Sequence, residues 1–335
     1  MSINGKPKFA MYWAASCGGC EIAVLNINEK ILDVDANFDV VFWPVAMDAK
    51  YKDVEALPDK AILLTLFNGS IRNEENEELA HLLRQKSQIL VAFGSCACEG
   101  CIPGLANLSK PSQIMDTVYN TVSSENPQGY HPVYDYPMPE GNIQIPEFYP
   151  VLRTLDQVVP VDYYMPGCPP ESDQIAAVVD LVIRVLHGEA ELPPAGATIG
   201  AGGSTVCDDC PRQRNVKSIK KFVRIQDVEQ IDPELCLLEQ GIPCNGPATR
   251  NGCGALCPSA SAQCIGCYGP AEGVIDYGAR LITAFSSVID SNDPDEINAI
   301  LDGIPDPTGQ FYRFNLAGSL LRASKAAWQS NGQGK

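Results

Sequence analysis

The sequence predicts an α/β protein, a doubly wound parallel sheet followed by a smaller, irregular domain rich in cysteine. Three observations lead there. Runs rich in Val, Ile and Leu alternate with helical patterns as far as Leu186, the signature of strands buried on both faces. A Gly- and Pro-rich stretch at 190–206 (AELPPAGATIGAGGSTV) then interrupts the pattern. Beyond it the regular periodicity fades, while cysteines crowd the segment from Cys207 to Cys267. A chain of 335 residues exceeds the usual size of one domain, so we expect two, at 1–190 and 191–335.

The elements follow in order. Residues 8–16 (KFAMYWAAS) form a strand that runs into Cys17-Gly-Gly-Cys20. A helical pattern comes next, with Ile22, Leu25, Ile27, Ile31 and Leu32 as candidate core positions. Strand-like runs recur at 39–46 (DVVFWPVA), 60–67 (KAILLTLF) and 88–93 (QILVAF). Between the last two, Leu79, Leu82 and Leu83 lie on one stripe at helical spacing. Residues 126–150, rich in Pro, Tyr and Asn, read as an irregular insertion, either a surface loop or a partner contact. A last strand, 161–166 (VDYYMP), ends at Gly167-Cys168-Pro169-Pro170. The helix after it has Ser172 or Asp173 as N-cap and buries Ile175, Val178, Val179, Val182, Ile183 and Leu186. The glycines at 200–203 open no helix and are linker rather than a dinucleotide loop.

In open α/β sheets, ligands gather beyond the carboxyl ends of the strands. Cys17, Cys96 and Cys168 each follow a strand, so with Cys20 they form one four-cysteine site. The tail carries Cys207-x2-Cys210, Cys236, Cys244, Cys253, Cys257 and Cys264-x2-Cys267. These make two more sets of four, the number that a 4Fe–4S cube takes. Cys253-Gly-Ala-Leu-Cys257-Pro258 repeats the C-x3-C-P ending of bacterial ferredoxin runs. Zinc accepts CxxC pairs equally well, and ligand softness alone does not choose between them.

A formal charge of −17 disfavours nucleic acid and anionic membranes as partners. No apolar run reaches the ~20 residues that span a bilayer, and the N-terminus shows no basic region or cleavage site. We therefore expect a cytoplasmic protein whose thiols stay reduced, binding metal rather than forming disulfides. One basic run, Arg212, Arg214, Lys217, Lys220, Lys221 and Arg224, is either a solvated face or a counter-charge for anionic clusters and an acidic redox partner. Glu21 is an interface carboxylate or an ordinary acid of a helix N-terminus. His81, His131 and His187 lack metal-ligand spacing to any cysteine. Cys98 and Cys101 are left as buried or spectator thiols, and no catalytic base is evident.

Cys-Gly-Gly-Cys-Glu at 17–21, Gly-Ser-Cys-Ala at 94–97 and Gly-Cys-Pro-Pro at 167–170 resemble the signatures of nickel–iron hydrogenase small subunits. Cys244-Asn-Gly-Pro-x-Thr, followed by Cys253 and by Cys264-Ile-Gly-Cys267, resembles the same family's cluster-rich tail. The resemblance covers nearly the whole chain. It is closest to the cytoplasmic, heterodisulfide-reductase-linked subgroup that does not reduce the deazaflavin coenzyme. It implies a flavodoxin-like first domain and three 4Fe–4S clusters. Cys17, Cys20, Cys96 and Cys168 would hold the proximal one. Cys253, Cys257, Cys264 and Cys267 would hold the medial one, and Cys207, Cys210, Cys236 and Cys244 the distal one. Many periplasmic relatives place a histidine at the position of Cys207 and a proline in the region of Cys257, so this chain reads as an all-4Fe–4S variant.

The resemblance further implies an electron-transfer subunit beside a separate large subunit that activates hydrogen. Its electrons would pass to an iron–sulfur adaptor and a heterodisulfide-reductase-type flavoprotein. Alternatives are the small subunit of a deazaflavin-reducing hydrogenase or sulfhydrogenase, a free-standing multi-cluster carrier, or a zinc-stapled scaffold. A respiratory complex I homologue would carry only the N-terminal cluster.

Overall fold

A computed structural model describes residues 5–215, 218–324 and 327. Its strands, in chain order, are β1 Lys8–Trp13, β2 Asp39–Phe42, β3 Ile62–Asn68, β4 Ile71–Asn73, β5 Ser87–Phe93, β6 Asp135–Met138, β7 Gly141–Gln144, β8 Phe148–Arg153 and β9 Tyr163–Met165. Five of them form one sheet in the order β2-β1-β3-β5-β9, and every neighbouring pair is parallel. Counting only these five, the order is 2-1-3-4-5, the flavodoxin-like arrangement.

Both faces of the sheet are covered. On one face Tyr12, Phe42, Phe67 and Leu90 meet Leu79 and Leu83 of the helix Glu74–Lys86. Asn73 starts this helix by accepting the Asn76 N–H at 2.9 Å. Glu74, Glu75 and Glu77 occupy its first turn and Arg84 and Lys86 its last, which suits the helix dipole. On the other face Phe9, Met11, Leu64 and Phe93 meet Val24, Ile27, Phe38 and Ile175.

Two local expectations are corrected. Ile22, Leu25 and Leu32 do not join the core; they are 58%, 54% and 65% exposed. The helix Gly19–Leu25 breaks into the 3-10 turn Asn28–Lys30 before the helix Ile31–Asn37, so one apolar stripe cannot run in phase through all three. The buried positions are Cys20, Glu21, Ala23, Val24 and Ile27. The helix Ser172–Leu186 is preceded by Glu171 as N-cap, not by Ser172 or Asp173, and the Glu171 N–H donates to the Tyr268 hydroxyl at 2.8 Å.

The insertion is partly regular. β6 and β7 pair as a hairpin whose residues are all exposed, with Tyr136 opposite Ile143. β8 returns to pair with β4.

A second apolar core forms beyond residue 205 around Ile219, Phe222, Ile242, Leu281, Phe285, Ile300 and Ile304. Phe222 stacks on Phe285 with ring centroids 5.3 Å apart. The Gly-rich stretch between the two cores is docked, since the Ile199 N–H donates to the Tyr164 carbonyl at 2.8 Å along β9. The chain also crosses back near its end. The Gly318 N–H donates to the Glu99 carbonyl at 3.0 Å, and Asn107 Nδ2 donates to the Arg322 carbonyl at 2.9 Å.

Leu83 is fully buried between the helix Glu74–Lys86 and the sheet. Leu83→Ala should therefore cost about 2–5 kcal/mol, read as a lower urea midpoint for loss of far-UV ellipticity.

Candidate metal centres

The first centre is built at the carboxyl edge of the sheet. Gly94 follows β5 with φ 82°, and the short helix Ser95–Glu99 carries Cys96. Gly167 follows β9 with φ 138° and leads into the cis Cys168–Pro169 bond. The two turns are tied together: the Ser95 N–H donates to the Gly167 carbonyl at 2.8 Å, and the Gly94 N–H to the Met165 carbonyl at 2.8 Å. Between them lies Cys20. A Cβ on Gly94 would stand 2.4 Å from the Cys20 Sγ, so only glycine lets β5 pass this close to the thiol.

Burial pushes the Cys20 thiol well up, and Cys96, Cys168 and Cys17 push it further. The four N-terminal cysteines thus face one another. Cys17 is the exposed member, while Cys20 and Cys96 are buried. Glu21 is no solvated helix acid. It is 3% exposed and its Oε2 accepts the Trp43 indole N–H at 2.6 Å. Burial raises its carboxyl pKa, against that hydrogen bond.

The tail cysteines form two neighbouring groups. Burial and then Cys244 and Cys236 push the Cys207 thiol up to about 12, opposed by Arg214. Cys244, raised to about 11 chiefly by burial, also faces Cys236 and Cys210. A Cβ on Gly246 would lie 2.9 Å from the Cys207 Sγ, a second close approach that needs glycine. Burial and Cys253 push Cys267 up to about 12, with Cys168 and Cys257 adding to the rise. Burial raises Cys257 beside Cys253.

The three groups adjoin in series. Cys168 and Cys267 pack against the same small cluster, and the Cys264 N–H donates to the Cys244 Sγ at 3.3 Å. Ser95 bridges the first junction, its hydroxyl accepting the Gly167 N–H at 3.0 Å and donating to the Cys267 carbonyl at 2.6 Å.

This donor set fits iron–sulfur clusters. Each group is thiol-only and, apart from exposed Cys17 and Cys257, half-buried or buried, and in each group neighbouring thiols oppose the ionisation of at least one member, so it calls for a cationic core. Among the described residues, no three His, Cys, Asp or Glu side chains converge closely enough to hold a single ion. A cube instead distributes its thiolates over four irons.

Three features lay outside the reach of sequence reasoning. Arg212 is not on a solvated face; it is 6% exposed. Its guanidinium donates to the carbonyls of Pro258, Asp232 and Leu235 and to the Ser261 hydroxyl, pinning the Cys257 turn to the loop before Cys236. Arg214, Lys220, Lys221 and Arg224 are exposed, and Lys217 lies outside the described residues. Cys98 and Cys101 also part company. The Cys98 thiol donates to the Ala92 carbonyl at 3.2 Å inside the sheet core. Cys101 instead packs in a cluster with Cys96, Phe314, Cys168 and Cys267, beside the sulfurs of the first centre. The left-handed backbone of Gly100 and Cys101 turns it there, which no spacing rule signals.

The family model for the 20 kDa subunit of NADH ubiquinone oxidoreductase matches residues 17–182, a span that takes in Cys17, Cys20, Cys96 and Cys168. The iron–sulfur subunit of the F420-non-reducing hydrogenase of Archaeoglobus profundus is 40% identical, covering 94% of this chain and 97% of that one. A subunit of the F420-non-reducing hydrogenase of Methanothermobacter marburgensis is 36% identical, covering 94% and 96%. Among solved structures, the recombinant NiFeSe hydrogenase of Desulfovibrio vulgaris Hildenborough superposes with a TM-score of 0.48 at 19% identity, over 81% of this chain and 95% of that one.

Gly94→Ala should strip metal from the sheet-edge centre alone. Metal analysis of the purified variant is expected to show roughly a third less bound metal, because the new methyl takes the space of the Cys20 sulfur.

Proposed function

The chain belongs to the family of iron–sulfur subunits of F420-non-reducing hydrogenases, and from that premise we propose how its cysteines divide the work. It is the electron-transfer subunit of a hydrogenase, an oxidoreductase, and its partner is a hydrogenase large subunit. Cys17, Cys20, Cys96 and Cys168 hold a proximal 4Fe–4S cluster. Cys253, Cys257, Cys264 and Cys267 hold a medial one, and Cys207, Cys210, Cys236 and Cys244 a distal one. When bound, such clusters supply one-electron centres, and all-thiolate ligation keeps their potentials low.

The observation that carries this reading is the serial adjacency of the three groups through Cys168–Cys267 and Cys264–Cys244. The protein's own contribution is to hold those thiols at fixed neighbours and to keep water out, with Cys20, Cys96, Cys244 and Cys264 buried. The chain works as two units, 1–190 and 191–335, with the terminal segment laid back across the first.

The ends of the series differ in chemistry. Cys17 is exposed, and close to it in the chain Trp13, Ile22 and Leu25 expose apolar side chains, groups suited to a contact with the large subunit. At the other end a cleft of about 420 Å³ is lined by Cys207, Cys236, Cys244, Arg214 and Arg280. The cleft also holds Asp208 and Glu239, so charges of both signs surround these sulfurs, and here an iron–sulfur adaptor would dock and hand electrons to a heterodisulfide-reductase-type flavoprotein. Among the described residues, no helix is long and apolar enough to cross a membrane. We place the complex in the cytoplasm, where thiols stay reduced.

Anaerobically purified protein should contain about twelve irons with matching acid-labile sulfide, four per cube; zinc without sulfide would sink the reading. Cys257→Pro should convert one cluster into a 3Fe–4S species, visible as a new EPR signal in the oxidised protein. An unchanged spectrum counts against Cys257 as a ligand.

A further inference from the structure

We propose that Cys101 is a positioning residue for the proximal centre, a thiol that donates a hydrogen bond to the sulfurs of Cys96 and Cys168 and so raises that centre's reduction potential. The proposal rests on the ligand reading above and deepens it.

Cys101 is 1% exposed, and its packed neighbours are Cys96, Phe314, Cys168 and Cys267. No solvent competes for its thiol there. Its backbone sits at φ 48° and ψ −152°, directly after Gly100 at φ 90°. A non-glycine residue rarely adopts such a backbone, so the surrounding structure must hold it there. That turn closes the helix Ser95–Glu99 and folds the side chain back onto the residue near its start, Cys96. Cys98, two residues from Cys96 on the same helix, makes the contrast: its thiol is already engaged by the Ala92 carbonyl.

Four thiolates satisfy the four corners of a cube. Cys17, Cys20, Cys96 and Cys168 supply them, so a fifth thiol at this site keeps its proton. A thiol is a weak donor, and the acceptors facing it are sulfurs that become more negative when the centre gains an electron. A donor to such sulfurs stabilises the reduced state over the oxidised one, the same route by which hydrogen bonds tune other cluster potentials.

The test uses the intact complex with Cys101→Ala and Cys101→Ser, compared by iron content and by EPR at poised potentials. In the alanine variant, iron content should stay at the wild-type level, and one of the three midpoint potentials should fall while the other two hold. The serine variant, which keeps a donor, should remain closer to wild type. ENDOR of the reduced centre after exchange into D2O should show an exchangeable proton in the wild type that the alanine variant lacks. Three unchanged midpoints in the alanine variant overturn the proposal. Loss of one cluster's iron overturns it too, because Cys101 would then be a ligand. If neither variant accumulates, the wild-type ENDOR decides, and absence of an exchangeable proton at that centre is the overturning result. Wild-type protein devoid of iron and sulfide would instead remove the functional reading on which this rests.

Discussion

The whole arrangement depends on one electrostatic constraint, the crowding of thiols in an interior where burial and neighbouring sulfurs oppose the ionisation of several of them. Burial is the largest influence on Cys20, Cys207, Cys244, Cys264 and Cys267, and neighbouring thiols add to it in each case. Such groups are unfavourable as bare anions and become favourable around a cation. Metal binding and folding are therefore linked, because the fold brings together ligands that need their metal.

Two different scaffolds meet that constraint. At the sheet edge, strands far apart in sequence deliver cysteines to one place, and glycine at 94 leaves room for sulfur. Beyond residue 205 there is little regular structure to do this. Order comes from hydrogen bonds to buried polar side chains. Arg212 ties together three carbonyls and a hydroxyl, and Asn245 joins the Cys264 carbonyl, through its N–H, to the Gln310 carbonyl, through its side chain. Aromatic packing of Phe222, Phe285 and Phe311 closes the core behind them.

Period-2 and period-3.6 patterns made the five-stranded sheet and its helices legible, and strand ends pointed to Cys17, Cys96 and Cys168. What escaped was whatever depends on contacts distant in sequence or on one unusual backbone turn. Ile22, Leu25 and Leu32 have the character of core residues but stand outside, since hydrophobicity alone does not say which surface an apolar side chain meets. Arg212 belonged to a run of charges, and only the fold shows that it alone among the described cations of that run turns inward. Cys98 and Cys101 looked alike as a CxxC pair. A left-handed turn between them sends one thiol into the sheet core and the other to the sulfurs.

The Ser95 hydroxyl joins the two scaffolds where they touch. Electron tunnelling rates fall exponentially with separation, so breathing between two loosely joined halves would make the transfer rate an average dominated by rare close approaches. One hydrogen bond of 2.6 Å, from Ser95 to the Cys267 carbonyl, spans that crossing, and the Gly167 N–H holds Ser95 in place to make it. Any electron that crosses there meets a separation set by the fold, in place of one set by the relative motion of two halves.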